Sequence, residues 1–491
     1  QNSSVLPSDS LYAIEHDAMD TTFRSMYQGL YAFMSATKER RDLLLFQREP
    51  QFDVALDKQI AEAADDFTRI ALKAKAAKDY FLLVGPPGTG KTSCALKKMV
   101  ETFYKEEGAQ ILLLSYTNRA VDEICKALSS IRPEVDFIRV GSELSCDENY
   151  RDHLIENELA TCMRRTEVYE RINRCRILVG TVASISGKPE LFRLKHFDVA
   201  IVDEATQILE PQLLGILCAK GENGKEGVGK FILIGDHKQL PAVVLQNSEQ
   251  SEVYDEALSA VGLKNLKDSL FERLYRTARQ HTDAHRTYDM LCRQGRMHPE
   301  VALFANQAFY EGRLLPVGLP HQLEDSGNIN RLSFYPSQPE PMGSSAKTNH
   351  SEAKIAARLA ATIYKEHSEA FDASRTLGII TPYRSQIALI KKEIEALGIP
   401  ELNQILIDTV ERFQGSERDV IIYSFCVNYP YQLKFLSNLT EEDGILIDRK
   451  LNVALTRARK QMLLTGVPAL LERNPLYKSL LKLIESLRNI A

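Results

Sequence analysis

The sequence predicts an α/β protein with two parallel-sheet domains in tandem, preceded by a helical segment. Short β-rich runs alternate with helical stretches twice along the chain, and each run of the first series is apolar throughout. Strands that are buried on both faces of a parallel sheet have this pattern. The 491 residues, 44% hydrophobic and 26% charged, suffice for two cores of ordinary globular composition. The predicted strands lie at 81–84, 111–114, 177–179, 199–202 and 231–234, then at 378–380, 405–407, 420–424 and 462–465.

The N-terminal segment, residues 1–54, is predicted to be helical. Between residues 22 and 46, apolar side chains recur at intervals of three and four, which is typical of an amphipathic helix or a pair of them. Pro50 closes this pattern. The charged run at 38–42 contains both signs, so we interpret it as a solvated helix face rather than a nucleic-acid patch.

The two domains are predicted to span residues 55–275 and 276–491. The polar, helical stretch at 249–289 lies between the two series of strands, which places the boundary near Tyr275. Residues 126–176 separate two strands by more than one crossover helix requires. Their charged composition predicts a helical insertion on the first domain.

The composition limits the classes of partner. A formal net charge of -5 excludes whole-chain basicity, so nucleic-acid binding would need a local groove. No apolar run approaches the roughly 20 residues of a membrane helix, so we expect no membrane span. The eight cysteines include no Cys-x-x-Cys pair, which predicts neither zinc nor an iron–sulfur cluster and an intracellular, reducing location, cytoplasmic or, in a eukaryote, nuclear. Because the chain opens at Gln1 without an initiating Met, we expect residues upstream.

A phosphate-binding loop directly follows the first predicted strand. Its glycines let backbone N–H groups and the N-terminus of the next helix face phosphate oxygens. Lys91 can reach the β- and γ-phosphates of ATP, and the Thr92 hydroxyl can bind Mg²⁺. The loop consists of Gly85, Pro86, Pro87, Gly88, Thr89, Gly90, Lys91 and Thr92.

Two carboxylates follow the predicted strand at 199–202. Asp203 is suited to hold Mg²⁺, and Glu204 to polarise the water that attacks the γ-phosphate. Alone, such a pair is more often a helix N-terminal charge pair, and the phosphate loop favours the catalytic interpretation. Gln239 follows the next strand and could contact the γ-phosphate.

The second domain offers two arginines for the same site. Phosphoryl transfer needs cations over the equatorial oxygens, and in split sites a second domain supplies them. The candidates are Arg296 and Arg457. Taken singly, either would more often be a solvated surface arginine.

Six motifs occur in order along residues 55–470: Gly-Pro-Pro-Gly-Thr-Gly-Lys-Thr, Asp-Glu-Ala-Thr, Gly-Asp-His-Lys-Gln-Leu-Pro, Gln-Gly-Arg-Met-His-Pro, Arg-Phe-Gln-Gly-Ser-Glu and Val-Ala-Leu-Thr-Arg-Ala-Arg. Together they resemble a superfamily 1 helicase of the up-frameshift-like group. The resemblance implies two RecA-like domains with ATP between them and single-stranded nucleic acid across their top. It also implies that Glu417 lies near the ribose and that Gln59 reads adenine. The helices at 22–46 then resemble a stalk, and residues 126–176 an accessory helical subdomain.

One residue departs from the family pattern. The family usually has an aromatic residue before the arginine of its Gln-x-Arg-Met-His-Pro motif, and this chain has Gly295. Without that ring to stack on the base, we expect weaker discrimination between ATP, GTP and other triphosphates.

The resemblance also marks a nucleic-acid track on strand-end loops. Backbone N–H groups and small hydroxyl side chains there suit phosphate contacts, although ordinary turns contain them too. Tyr116 and Tyr383 are the loop aromatics expected to stack on bases, and most other aromatics are assigned to the core. The predicted contacts are Ser115, Thr117, Asn118, Thr181, Pro382, Tyr383 and Thr409.

Two further patterns are given structural interpretations. His281 and His285 have the spacing of zinc ligands on one helix face, but without a third ligand we expect exposed linker histidines. Cys94, beside the phosphate loop, is interpreted as a buried small hydrophobic residue.

The sequence thus predicts a motor that hydrolyses ATP to move along single-stranded DNA or RNA, and the resemblance implies movement from 5′ to 3′. A translocase that remodels protein–nucleic-acid complexes without separating strands is an alternative within enzymes. A nucleotide-gated interaction switch is an alternative from another class, disfavoured because a switch can do without Glu204, Arg296 and Arg457. The choice between DNA and RNA, and the protein partners, stay open at this stage.

Overall fold

The structure is a computed structural model that describes residues 21–488 apart from 223, 245, 247, 282–285, 326, 328, 342–344 and 443. Over these ranges the chain forms a seven-stranded sheet followed by a five-stranded sheet, and all neighbouring strands in both sheets are parallel. Each predicted strand coincides with an observed one. The predicted α/β architecture with two tandem parallel-sheet domains is therefore confirmed.

The first sheet has the order β3-β4-β2-β5-β6-β1-β7. Its strands are β1 (Tyr80–Val84), β2 (Ile111–Ser115), β3 (Phe137–Val140), β4 (Ile177–Thr181), β5 (Phe197–Val202), β6 (Val228–Gly235) and β7 (Tyr288–Met290). Along β1, Tyr80 and Leu82 pack into one apolar cluster and Phe81 and Leu83 into another on the opposite face. Burial on both faces explains why the strand is apolar at every position. The carboxyl ends of β1, β5 and β6 meet at one edge.

Helices cover both faces of this sheet and extend to the N-terminal segment. They are α1 (Thr21–Met34), α2 (Lys38–Leu44), α3 (Asp57–Ala61), α4 (Asp66–Ala76), α5 (Lys97–Tyr104), α6 (Asn118–Ser129), α7 (Ile155–Glu158), α8 (Arg165–Arg174), α9 (Val182–Ser186), α10 (Glu190–Leu194), α11 (Glu210–Leu217), α12 (Ser248–Ser251), α13 (Glu256–Ala260) and α14 (Leu270–Gln280). Among the described helices, none is long and apolar enough to cross a membrane.

The N-terminal helices α1 and α2 match the helical prediction for residues 22–46. Helix α1 packs against α11, and a Cβ atom at Gly29 would lie 1.8 Å from the carbonyl oxygen of Pro211. Only glycine permits this close approach of the two backbones. The segment is therefore attached to the first domain, and its role as a stalk stays a prediction.

The first sheet differs from the sequence prediction at two strands, and the second sheet has one strand more than predicted, at Leu332–Pro336. The region 126–176, predicted as a helical insertion, contains β3, whose buried Arg139 pairs with Asp122 of α6. The final strand of the first sheet, β7, lies beyond the boundary predicted near Tyr275. The change from the first sheet to the second domain therefore follows Met290. The strands β3 and β7 each carry a charged residue. Their apolar pattern is therefore interrupted, and the sequence did not indicate a strand there.

The second domain is built on the sheet order β10-β16-β13-β11-β12. Its strands are β8 (Arg293–Gln294), β9 (Leu315–Pro316), β10 (Leu332–Pro336), β11 (Leu377–Ile380), β12 (Leu406–Asp408), β13 (Arg418–Ser424), β14 (Leu439–Glu442), β15 (Ile445–Asp448) and β16 (Ala458–Gly466). Its helices are α15 (Pro299–Phe309), α16 (Pro320–Leu323), α17 (His350–Glu366), α18 (Arg384–Glu395), α19 (Val410–Phe413), α20 (Leu433–Leu436), α21 (Arg449–Leu455), α22 (Pro468–Leu471) and α23 (Pro475–Arg488).

The β14–β15 hairpin joins the two domains. Glu442 at the end of β14 lies 2.8 Å from His237 Nε2 and 2.9 Å from Arg279 Nη1, both in the first domain. Arg449, just after β15, pairs with Glu272 of α14. These contacts close one side of the cleft between the domains.

Candidate nucleotide site and nucleic-acid face

The phosphate loop lies between β1 and the helical turn Lys91–Leu96, as the sequence predicts. Gly88 and Gly90 have φ angles of 73° and 77°, a left-handed conformation that favours glycine. Gly90 O accepts hydrogen bonds from the N–H groups of Cys94 and Ala95 at 3.0 and 2.9 Å. The remaining N–H groups at the start of the helix face the cleft, which makes an anion-binding site.

The predicted catalytic and metal-binding side chains of the first domain meet beside this loop. Lys91 Nζ lies 3.4 Å from Glu204 Oε1, and the Thr92 hydroxyl donates a hydrogen bond to Asp203 Oδ2. Asp203 is buried at the end of β5, two strands from β1. The edge of a parallel sheet thus brings together residues that are far apart in sequence.

The two carboxylates differ in their electrostatics. Burial, together with the charge of Glu204, raises the pKa of Asp203 to about 6. Burial also acts to raise the pKa of Glu204, but Lys91 and a hydrogen bond from Gln207 outweigh it and the net shift is downward. Glu204 has a left-handed φ of 53°, a strained conformation for a residue with a side chain. The site therefore holds an ionised Glu204 in a fixed direction.

Arg457 of the second domain reaches Gln239 of the first. Arg457 Nη2 donates a hydrogen bond to Gln239 Oε1 at 3.2 Å, and Gln239 Nε2 donates one to Asp236 Oδ2 at 2.7 Å. Burial, followed by the charge of Arg296, lowers the pKa of Arg457 to about 9, so the guanidinium stays protonated at neutral pH. A buried cation thus lies between the two domains.

Arg296 lies directly over the phosphate loop. The N–H group of Gly295 donates a hydrogen bond to Gly88 O at 2.8 Å, and a Cβ atom at Gly88 would lie 2.4 Å from that of Arg296. Arg296 Nε donates a hydrogen bond to Glu417 Oε2 at 2.6 Å. Arg296, Arg457 and Glu417 all line the cleft, as the sequence predicts.

The structure does not bring Gln59 to this cleft. Gln59 is exposed on α3 and is absent from the described residues that line the cleft. The neighbouring helix α4 instead supplies Phe67, whose Cζ would lie 3.6 Å from a Cβ atom at Gly90. The arrangement therefore gives no support to an adenine-reading role for Gln59.

Two apolar side chains lie beside Gly295. A Cβ atom at Gly295 would be 3.2 Å from Leu319 Cδ1 and 3.3 Å from Val317 Cγ2. Both side chains are exposed, at 42% and 45%, and both line the cleft. They occupy the space beside residue 295 where an aromatic ring would need room. Sequence reasoning missed Phe67 of α4 and the loop residues Val317 and Leu319, because isolated apolar residues belong to no motif.

The structure bears on two further sequence interpretations, those of Cys94 and of the histidine pair. Cys94 is exposed and lines the cleft, so its interpretation as a buried residue was wrong. Its Sγ lies 3.7 Å from the hydroxyl of Ser93. The histidine pair cannot be assessed, because His285 lies outside the described residues.

The predicted nucleic-acid contacts all lie at carboxyl ends of parallel strands. Ser115 ends β2 and Thr117 follows it, Thr181 ends β4, Pro382 and Tyr383 follow β11, and Thr409 follows β12. Thr117 and Thr181 accept hydrogen bonds from the N–H groups of Ala120 and Ser184, and so cap α6 and α9, with Asn118 at the start of α6. Ser115 is buried, and its hydroxyl donates a hydrogen bond to Asp203 O. The Ser115 side chain is therefore buried against the end of β5 and lies outside the cleft lining.

A cleft of about 2060 Å³ lies between the two domains. It runs from the phosphate loop past Tyr116 and Thr117 of the first domain to Arg412 and Lys434 of the second. Arg119 Nη2 also donates a hydrogen bond to Gly415 O at 3.4 Å across this cleft. Of the predicted nucleic-acid contacts, Thr117 lines this cleft, whereas Thr181, Pro382, Tyr383 and Thr409 lie outside its lining.

The fold and the site define a P-loop nucleoside triphosphatase whose site is completed by a second α/β domain. Two family models, each described as "AAA domain", match the chain, one at residues 60–168 and 157–247 and the other at 266–469. With the ordered motifs and the relatives given next, they identify the family. The chain belongs to the superfamily 1 helicases, in the up-frameshift-like group.

Curated relatives are similar along almost the whole chain. The "DNA replication ATP-dependent helicase/nuclease DNA2" proteins of Bos taurus and Homo sapiens are each 28% identical, over 99% and 98% of this chain and 46% of their own length. The "DNA polymerase alpha-associated DNA helicase A" of Saccharomyces cerevisiae is 26% identical over 83% of this chain and 65% of its own. The chain spans about half the length of the DNA2 relatives that it matches.

A solved structure also shows a likeness. It is described as "Complex structure of Arterivirus nonstructural protein 10 (helicase) with DNA" and has 16% sequence identity and a TM-score of 0.39. The match covers 81% of this chain and 62% of that chain. At this TM-score the likeness does not extend to the placement of individual residues.

Proposed function

We propose that this chain hydrolyses ATP in the interdomain cleft and uses the cycle to move 5′ to 3′ along single-stranded DNA. The observation that carries the proposal is the hydrogen bond between Arg457 of the second domain and Gln239 of the first, beside Lys91 and Glu204. An arginine from a second domain that is buried at a phosphate loop is the arrangement of a hydrolysing enzyme whose domains move with its nucleotide.

The side chains suit phosphoryl transfer to water. Glu204, ionised and held by Gln207, can accept a proton from a water molecule as its oxygen attacks the γ-phosphorus. The bond from that phosphorus to the bridging oxygen breaks, and ADP leaves with the electron pair. Lys91, Arg296 and Arg457 can stabilise the charge on the phosphoryl oxygens.

The donor set beside the loop also suits Mg²⁺. The Thr92 hydroxyl and the Asp203 carboxylate already face each other, and both are oxygen ligands of the kind that Mg²⁺ prefers. These two side chains would hold the ion, which would neutralise charge on the β- and γ-phosphates.

The loop at 235–241 can couple the nucleotide to domain movement. The second domain contacts this loop through the hydroxyl of Tyr310, which donates to Asp236 Oδ2 at 2.7 Å, and through Asn452 Nδ2, which donates to Lys238 O at 2.6 Å. When Gln239 and Arg457 bind a γ-phosphate, their mutual contact must change. Loss of that phosphate would then loosen the domains, which is how a two-domain motor steps.

DNA is the polymer we favour, because the printed names of the relatives are those of DNA helicases. Strand separation follows if a duplex blocks the path, whereas remodelling of protein–DNA complexes without separation is the alternative. Since ATP and DNA are both found inside cells, we propose an intracellular site of action.

Steady-state ATP hydrolysis with single-stranded DNA, with single-stranded RNA and with neither tests this proposal. We expect stimulation by DNA, and Glu204→Gln should lower kcat by at least about 10²-fold while nucleotide binding persists. Stimulation by RNA alone would change the substrate class. Turnover that responds to neither polymer would contradict the motor function.

A further inference from the structure

The segment that follows β13, residues 428–438, presents aromatic rings on the surface and belongs to none of the six motifs. Tyr431 and Phe435 are 55% and 65% exposed, and are thus exceptions among the aromatic residues. Strand β13 is adjacent to β11, so the segment emerges beside the loop that carries Tyr383. Exposed aromatic clusters of this kind mark interaction sites.

A buried glutamine fixes this segment to Tyr383. Gln432 Oε1 accepts hydrogen bonds from the N–H groups of Asn428 and Tyr429, both at 2.9 Å. Gln432 Nε2 donates to Ala346 O at 2.6 Å and to the Tyr383 hydroxyl at 3.2 Å. The backbone that carries these rings is therefore fixed before any ligand arrives, which lowers the entropic cost of binding.

The strand end before this segment is fixed as well. Cys426 has a left-handed φ of 50°, and its N–H group donates a hydrogen bond to the buried carboxyl of Glu352 at 2.8 Å. The Ser424 hydroxyl donates to the same oxygen at 2.7 Å. The turn that sends the chain out from the sheet is thus anchored on both sides.

The rings and the neighbouring charge suit nucleic-acid bases. The rings of Tyr429 and Tyr431 are nearly parallel, with an interplanar angle of 12° and centroids 5.8 Å apart. Lys434 is exposed and lines the interdomain cleft together with Tyr116 and Arg412. Aromatic faces beside a cation are what proteins use to hold single strands without reading sequence, because every base has a π face.

We propose that Tyr429 and Tyr431 form a stacking platform for the bases of single-stranded nucleic acid, with Lys434 contacting the backbone. The platform extends the track from Tyr383 across the second domain. This inference rests on the proposed function, because it requires that a single strand passes Lys434 at the cleft and continues onto the surface that carries Tyr429 and Tyr431, which lie outside the cleft lining. The continuity with Tyr383 favours nucleic acid over a protein partner at this surface.

Binding of labelled oligo-dT and of an abasic oligonucleotide of equal length tests the platform. The abasic strand keeps the phosphates and has no bases to stack. We expect Tyr431→Ala to weaken oligo-dT binding by at least about fivefold and to leave abasic binding unchanged. Tyr431→Phe, which keeps the ring, should bind as the wild type does. Tyr169→Ala removes a ring of similar exposure, 51%, from α8, which is not among the described elements lining the cleft, and should have no effect.

Two results would overturn the platform while leaving the motor intact. The first is Tyr431→Ala binding oligo-dT as tightly as the wild type. The second is an equal loss of oligo-dT and abasic binding, which would show a structural effect or a phosphate contact instead of stacking. Nucleotide binding by each variant reports whether the chain is folded. Failure of the wild type to bind either strand would instead contradict the proposed function itself.

Discussion

Arg457 and Gln239 form a direct hydrogen bond across the interdomain cleft, from the guanidinium Nη2 to the amide Oε1 at 3.2 Å. The two residues lie on different domains and are separated by 218 positions in the sequence. Arg457 is also fixed within its own domain, because its Nε donates to Val453 O at 2.9 Å. The arginine is therefore positioned at the site before nucleotide binds.

Replacement of this arginine should affect hydrolysis more than nucleotide binding. We predict that Arg457→Ala lowers kcat by about 10³-fold, since the cation acts on charge that develops in the transition state. The KM for ATP should change far less. The exposed Arg473→Ala serves as the control and should retain wild-type turnover. Equal loss of kcat in both variants, or no loss in Arg457→Ala, would contradict the assignment.

The cleft should discriminate weakly between nucleobases. Phe67, Val317 and Leu319 are apolar, so they offer surface to a base but no hydrogen bond to its edge. A site without such polar contacts rejects related ligands poorly. We predict values of kcat/KM for ATP and GTP within about tenfold of each other. A preference for ATP of several hundredfold would show that a polar group reads the base.

Glu352 should make stability depend on pH. Burial raises the pKa of this carboxyl from 4.5 to about 7, so the folded state retains a proton that the unfolded chain releases between these values. This contribution to stability is complete below pH 4.5 and is lost as the pH rises through 7. The Gln side chain of Glu352→Gln does not ionise. The free energy of unfolding of this variant should therefore rise relative to that of the wild type by up to about 3 kcal/mol as the pH rises.

Urea unfolding on either side of that pH range measures the effect. The exposed Glu366→Gln, at the other end of α17, is the matched control and should show no pH-dependent difference from the wild type. If Glu352→Gln differs from the wild type equally at both pH values, the carboxyl does not titrate as inferred.

The contact between α1 and α11 can be tested by one substitution, Gly29→Ala. The sign of its effect on stability depends on whether α1 packs against the domain. In an unpacked helix, Gly29→Ala would stabilise by up to about 1 kcal/mol. Packed against Pro211 as observed, the added methyl should cost at least about 2 kcal/mol and free α1 from the domain. Hydrogen exchange of α1 should then become fast, with the exposed Gln28→Ala as the control. Slower exchange in Gly29→Ala would mean that α1 does not pack there.

Nine of the twelve strands in the two sheets could be predicted from the sequence because each contains a run of apolar residues that is buried on both faces, whereas β3, β7 and β10 were missed. Strand β3 was not predicted because Arg139 interrupts its apolar pattern. The buried guanidinium of Arg139 is stabilised by its ion pair with Asp122. Strand β7 was not predicted because it contains Asp289. The Oδ2 atom of Asp289 pairs with Arg69 Nη1 at 2.5 Å and with Lys73 Nζ at 2.8 Å. Partners supplied by distant helices cannot be inferred from a local pattern.

Some residues of the candidate site could likewise be predicted from the sequence, and others could not. Lys91, Thr92, Asp203 and Glu204 could be predicted, because their chemistry requires fixed spacing after a strand. The contact of Arg457 with Gln239 depends on how the two domains dock, and no spacing encodes that. No sequence motif marks Tyr431, whose ring reaches the surface because the chain leaves the sheet at Cys426.

The most direct test of the shared-cleft account is the structure of the protein with ADP and aluminium fluoride, a mimic of the transferring phosphoryl group. The account predicts guanidinium nitrogens of Arg296 and Arg457 within about 3 Å of the mimic, with Arg296 released from Glu417. If both arginines point away from the mimic while first-domain residues alone surround it, the central claim is contradicted.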